Sequence, residues 1–178
     1  MAEGDYENGF ALYDYRPKTG LICDAPAYGG EELEGKTLLV YHEQGFGDTI
    51  NFARLLKHKK LSGAKIIFSP QEPLLSLFKA STLGVSVMSQ DEITAQNPHF
   101  DYHTSLIDLL RTLQIRADAV PQNIDYIVAD AKKAEQFASK LDTKKRKIGL
   151  VWSGNKQYLG DVLRSIDHKL FGALKNPS

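Results

Sequence analysis

The chain has 178 residues, with 22 basic and 22 acidic side chains and a formal net charge of zero. At about 150 residues per domain this length allows one domain and a fragment. The charge balance excludes a protein built mainly to neutralise nucleic-acid phosphates, because that task needs a basic surplus on one face. An apolar share of 42% and a charged share of 25% are those of an ordinary globular chain.

Residues 1–36 differ from the rest. They carry six glycines, among them Gly29 and Gly30, and the aromatics Tyr6, Phe10, Tyr13 and Tyr15. They are expected to form an irregular lead-in that packs its aromatics on a neighbour and holds at most a short helix. From residue 37 the pattern alternates. The run TLLVYH at 37–42, bounded by glycines, predicts a buried strand. Residues 48–58 then predict a helix with Ile50, Phe52, Ala53, Leu55 and Leu56 inward. KIIF at 65–68 predicts a second strand, and Pro73 suits the first turn of a helix running to Ser81. Residues 85–88 and 100–103 predict two further strands. The second leads into a helix with Leu106, Leu109, Leu110 and Leu113 at i, i+3, i+4 and i+7. Ser105 and Asp108 have the spacing of a capping box, with Asp in the Glu role.

Residues 120–129 are expected to be extended, and 131–141 to form an amphipathic helix with Ala134, Phe137, Ala138 and Leu141 on one stripe. A basic connector at 144–147 precedes IGLVW at 148–152, which predicts another buried strand, with Trp152 in the core. A last helix is expected near 167–174. Strands alternating with helices predict an α/β fold, a Rossmann-like, mainly parallel sheet with flanking helices. The expected divisions are 1–36, 37–143 and 144–178.

One cysteine, Cys23, excludes an internal disulfide, and no CxxC or Cys/His cluster proposes a zinc site. Apolar runs fall far short of the ~20 residues of a membrane helix. The N-terminal residues lack the basic and apolar regions of a signal peptide. The expectation is a cytoplasmic protein without a transmembrane segment, a structural metal or a nucleic-acid partner. His99 and His103 are four apart, but Pro98 and the strand-like DYH between them assign them to the surface rather than to a metal.

The segment with most chemical content is EQGFGDT at 43–49, between the first strand and the first helix. Ligands of open α/β sheets bind at the carboxyl ends of strands, so chemistry is expected here. Gly45 and Gly47 permit a tight turn and close approach of a ligand. A dinucleotide fingerprint fails, because Ile50 stands where the third glycine belongs and Phe68 of the second strand is followed by Ser-Pro-Gln where the acidic residue belongs. No GxxxxGK[ST] occurs either. Asp48 admits two readings. One is a helix cap whose carboxylate accepts backbone N–H bonds. The other is a general base, which such bonds and the helix dipole would weaken, so that it must act by geometry.

HEQGFGDTINFARLL after KTLLVY resembles the first strand–loop–helix of tetratricopeptide-linked bacterial glycosyltransferases, relatives of glycosyltransferase family 9, the heptosyltransferases. Gly9-Phe10 with Tyr13-Asp14-Tyr15-Arg16 resembles the segment that joins the repeats to the catalytic part. Val120-Pro121 with Tyr126 resembles the end of the first half. IGLVWSGN with Arg164-Ser165-Ile166 resembles the start of the second. The resemblance implies a metal-independent GT-B enzyme with a nucleotide-diphosphate sugar as donor and a glycan, lipid or protein as acceptor. It implies Asp48 as base, with Gln44, Gly45, Gly47 and Thr49 in the acceptor loop. It assigns donor phosphates to Ser153, Gly154, Asn155, Arg164 and Ser165. The loop at 156–163 departs from the family pattern, and the second half is expected to be truncated, so that the chain is inactive alone. The alternative is a Rossmann-like binding domain without catalysis. An unpaired strand at 148–152 further implies a homodimer through that edge.

Overall fold

The computed structural model describes residues 4–18, 23–116, 125–141, 144–156 and 158–175. Its centre is β1 (Thr37–Tyr41), whose Leu38, Leu39 and Val40 are fully buried. Burial of three consecutive apolar residues marks a strand covered on both faces. β1 pairs in parallel with β2 (Lys65–Ser69) on one side and with β4 (Tyr102–Ser105) on the other. β2 pairs in parallel with β3 (Ser86–Val87). The order is β3-β2-β1-β4, an all-parallel Rossmann-like α/β sheet, as the alternating pattern predicts.

Side chains leave β1 alternately. Leu38 and Val40 enter the larger core with Phe68, Phe78, Leu55 and Leu109, while Leu39 joins Ile67 and Ile93 in a smaller one. The free edge of β4 is shielded by the lead-in. Ala27 bridges His103, with Tyr28 N–H donating to the His103 carbonyl at 2.8 Å and His103 N–H to the Pro26 carbonyl at 3.0 Å. Covering an edge in this way removes a template for unwanted pairing.

Several elements depart from expectation. α1 (Tyr6–Tyr13) is the short helix of the lead-in, with Asp5 capping Asn8 N–H at 3.1 Å. The helix expected over 48–58 is α2 (Phe46–Phe52), which tightens into a 3-10 turn over Ala53–Lys57. Pro73 opens a 3-10 turn over Glu72–Leu74 before α3 (Leu75–Lys79). A helix absent from the sequence reading, α4 (Gln90–Gln96), has a complete capping box. Ser89 Oγ accepts Glu92 N–H at 3.0 Å, and Glu92 accepts Ser89 N–H at 2.6 Å. α5 (Asp108–Thr112) has half of one. Ser105 Oγ accepts Asp108 N–H at 3.1 Å, but the Asp108 carboxylate is held by cations instead. His103 is not a surface group. It is half-buried in β4, stacked on Tyr41 with ring centres 5.8 Å apart, and its Nδ1 is buried without a partner among the described residues.

Two compact units divide at residue 135. α6 (Ala131–Ala138) crosses that division and is exposed along its length, Phe137 to 66%. Of the stretch expected to be extended, 120–124 lies outside the described residues, and 125–130 has no regular structure.

The second unit corrects the clearest expectation. Residues 148–152 form no strand, and Ile148 and Val151 are 69% and 92% exposed. A strand needs a neighbour to pair its N–H and C=O groups, and this unit holds no strand among the described residues. Trp152, 43% exposed, rests against His168 and Phe171, and its carbonyl accepts Ile166 N–H at 2.9 Å. The last helix is a 3-10 segment, His168–Lys175.

Candidate functional site

The sheet order places the topological switch between β1 and β4, where chain connections leave in opposite directions. A crevice at the carboxyl ends of such strands is where open α/β sheets bind ligands. The segment after β1 and the β4–α5 junction flank this switch point, and Arg16 of the lead-in lies between them.

Glu43 stands two residues beyond β1 and is 3% exposed. A carboxylate so buried needs a counter-charge, and Arg16 of the lead-in provides it. Arg16 Nε and Nη2 donate to its two oxygens at 2.7 and 2.6 Å, a bidentate fork. Nη2 also donates to Asp108 at 2.9 Å, and Nη1 to the Tyr13 carbonyl at 3.0 Å. The guanidinium lies 4.8 Å above the Tyr13 ring. Lys18 Nζ adds contacts of 3.3 Å to both Asp108 oxygens. The Glu43 hydrogen bond holds the Arg16 guanidinium even more firmly protonated than usual. Burial works against the Asp108 anion, but the Arg16 hydrogen bond and charge, with Lys18, outweigh it and hold that carboxyl below its ordinary range.

Beyond Glu43 the chain turns sharply. Gln44 takes a left-handed φ of 67°, which a non-glycine residue adopts only when its surroundings hold it. Its side-chain amide donates to the Tyr13 hydroxyl, and its carbonyl accepts from Gln71 Nε2 at 3.2 Å. Gly45 is the cap residue of α2, and its N–H donates to Asp48 Oδ2 at 3.0 Å. Asp48 therefore sits at the third helical position and braces the turn from inside. The capping reading holds for its carboxylate, though not as the N-cap itself. Oδ1 makes no hydrogen bond among the described residues. Thr49 is fully buried and its Oγ1 has no partner there. Phe46 is 51% exposed, and a Cβ added at Gly47 would meet nothing within 4 Å. The loop thus presents an open, partly apolar face.

His42 precedes this loop. Its N–H and its Nδ1 both approach the Ser69 carbonyl, at 2.9 and 3.2 Å. A proton on Nδ1 completes the second bond and leaves Nε2 as an acceptor.

Gln44, Gly45, Gly47, Asp48 and Thr49 therefore lie together at the expected end of β1. The sequence reading missed what anchors them. Arg16 lies 27 residues from Glu43 and 92 from Asp108 in the chain, and no local pattern signals such a contact.

The residues expected at a donor site lie in the second unit. Gly154 N–H is shared between Asp161 Oδ1 and Ser165 Oγ, both at 3.1 Å. Arg164 Nε donates to the same Asp161 oxygen at 3.1 Å while its guanidinium stacks over Tyr158. The Ser165 hydroxyl and then Arg164 hold the Asp161 carboxyl below its ordinary range. Gly154, Arg164 and Ser165 are thus gathered, but around an internal carboxylate. The Asn155 carbonyl accepts Tyr158 N–H at 3.0 Å, and Ser153 is exposed.

The fold is that of a Rossmann-like α/β domain whose glycine-bearing loop follows its central strand. Among known proteins, Protein FlbA of Caulobacter vibrioides is 25% identical over 180 residues, covering 88% of this chain and 30% of FlbA. The chain thus spans under a third of that relative. No protein-family model matches, and no solved structure does. Among the described residues, no helix is long and apolar enough to cross a membrane.

Proposed function

We propose that the chain is the acceptor-side half of a metal-independent glycosyltransferase, which passes a sugar from a nucleotide-diphosphate donor to a hydroxyl acceptor. The observation that carries this reading is the open loop at 44–49, set at the carboxyl end of the central strand beside the switch point. In this reading Asp48 Oδ2 is spent on Gly45 N–H, and Oδ1 accepts the acceptor hydroxyl. Asp48 then acts by holding that hydroxyl in line as its proton leaves, geometry compensating for modest basicity. Gln44, Gly45, Gly47 and Thr49 shape the acceptor face. Ser153, Gly154, Asn155, Arg164 and Ser165 belong to the donor side, where backbone N–H groups and a guanidinium suit a diphosphate.

A second reading is a Rossmann-like binding domain without catalysis. It is favoured by Asp161, whose carboxylate takes up the Gly154 and Arg164 donors that a diphosphate would need. One experiment separates the two. Release of nucleoside diphosphate from a panel of nucleotide sugars is measured on the full product of the gene encoding these residues, wild type and Asp48→Asn. The transferase reading expects turnover that falls about 10²-fold or more in the variant, the usual worth of a general base. Turnover unchanged in Asp48→Asn removes Asp48 from the mechanism, and no turnover with any donor leaves the binding reading.

A further inference from the structure

The lead-in reaches the crevice through four side chains in a row of six residues. Tyr13 bonds Gln44, Asp14 pairs with Arg111 of α5 at 2.9 Å, Arg16 bridges Glu43 and Asp108, and Lys18 meets Asp108. These contacts fall on both sides of the switch point. The Arg16 side chain is 11% exposed, against 32% for Asp14 and 47% for Lys18.

We propose that Arg16 is a positioning residue that sets the loop at 44–48 by tying its base, Glu43, to the start of α5. Glu43 is rigidly placed only while the fork holds, because no other cation reaches its carboxylate among the described residues. The next residue, Gln44, keeps its left-handed backbone between Tyr13 on one side and Gln71 on the other. Undocking the lead-in removes the fork and the Tyr13 side of that bracket together. Docking of the lead-in and order of the loop are therefore one linked equilibrium. A ligand that needs the ordered loop strengthens docking by the same factor by which docking strengthens the ligand. This holds whatever chemistry the loop serves, so it stands or falls apart from the transferase reading.

A guanidinium is required rather than a bare charge, because two oxygens of Glu43 and one of Asp108 must be met in one plane. The test is amide hydrogen exchange by NMR on the 178-residue chain, comparing Gly45 and Thr49, whose amides bond Asp48 Oδ2 and the Gly45 carbonyl, with Leu39 and Val40 of β1. In Arg16→Lys, where the charge remains, the ratio of loop to β1 exchange is expected to rise about tenfold, the loss of roughly one charge-assisted hydrogen bond. In Arg16→Ala the same ratio rises, and millimolar methylguanidinium lowers it again whereas methylammonium does not. Loop and β1 amides quickening by one common factor in Arg16→Lys would show a merely structural ion pair and overturn the proposal. Equal effects of the two cations on Arg16→Ala, including no effect of either, overturn it as well.

Discussion

The two units of the chain spend similar sequence material differently. In the first, TLLVY is a strand with neighbours on both sides, and its three central residues are wholly buried. In the second, IGLVW has the same apolar and β-branched character, yet it lies largely exposed and without a partner strand among the described residues. Apolar pattern states what a segment needs, and only the neighbours decide whether the need is met. The same contrast runs through the charged residues. The acidic pair of the first unit is locked by a largely enclosed guanidinium from far along the chain, whereas Asp161 is held by donors within seven residues.

The largest expected effect sharpens that contrast. Phe68 is fully buried and packs edge-to-face on Phe78 with ring centres 5.1 Å apart. Phe68→Ala is expected to cost about 3–5 kcal/mol in urea unfolding. Val151→Ala, at 92% exposure, should change stability by less than about 0.5 kcal/mol. A large loss at Val151 would show a packed core in the second unit and break the comparison.

The second prediction concerns association. Exposed Ile148, Leu150, Val151 and Trp152 form an apolar run of the kind that pairs with another chain. Light scattering is expected to find a dimer for the 178-residue chain and a monomer for a version ending at Asp142. A monomer for both, or an equally firm dimer after truncation, contradicts it.

The fold was readable because β1 and β2 are short apolar runs, the first bounded by glycines and the second by Gly63 and Pro70, and a parallel sheet follows from their alternation with helices. Helix limits were less readable. The chain tightens after Phe52 into 3-10 geometry that shares the same apolar stripe, so periodicity cannot place the change. α4 carries a legible cap signal, Ser89 with Glu92, but its apolar stripe is a single buried residue, Ile93, too little for periodicity to mark a helix. The loop at 43–49 stood out by its glycines and its place after a strand. Glu43 was visible as a residue but not as a buried one, since its burial depends on Arg16 folding back from the lead-in.

The third prediction concerns acid stability, to which His103 and Asp108 of the first unit contribute at different pH. Burial lowers the His103 value, so its neutral form is the one the fold favours. That contribution is complete above the unfolded value near 6.5 and declines as pH falls through the lower folded value. Asp108 behaves in the same sense further down. Its contribution is complete above about 3.8 and is lost as pH falls through its depressed folded value. Urea midpoints of Asp108→Asn should therefore show a shallower lower limb, the rest coming from Asp101, Glu92 and Asp161, and an upper limb at least as deep, because the Asp108 charge raises the His103 value. An unchanged lower limb would mean that Asp108 is not held by Arg16.

The smallest effect is local to the second unit. A Cβ at Gly154 would stand 2.5 Å from Arg164 Nη2 and 2.6 Å from Asp161 Oδ1, so Gly154→Ala must push the guanidinium aside. The Asp161 carboxyl is then expected to titrate nearer its ordinary 3.8 by NMR, with global stability little changed. An unmoved titration would show that Ser165 alone sets it.

The central claim is that ligands meet this chain at the carboxyl end of β1, and the most direct test is an amide-shift titration of the isotopically labelled 178-residue chain. Free glycans, a lipid-linked glycan in micelles and hydroxyl-bearing peptides are added in turn. The account predicts that one class moves Gln44, Gly45, Gly47 and Thr49 together with Ser105 and Asp108 across the crevice, and that Asp48→Asn weakens the response. Shifts confined to residues away from this crevice, or a response untouched by Asp48→Asn, would contradict it.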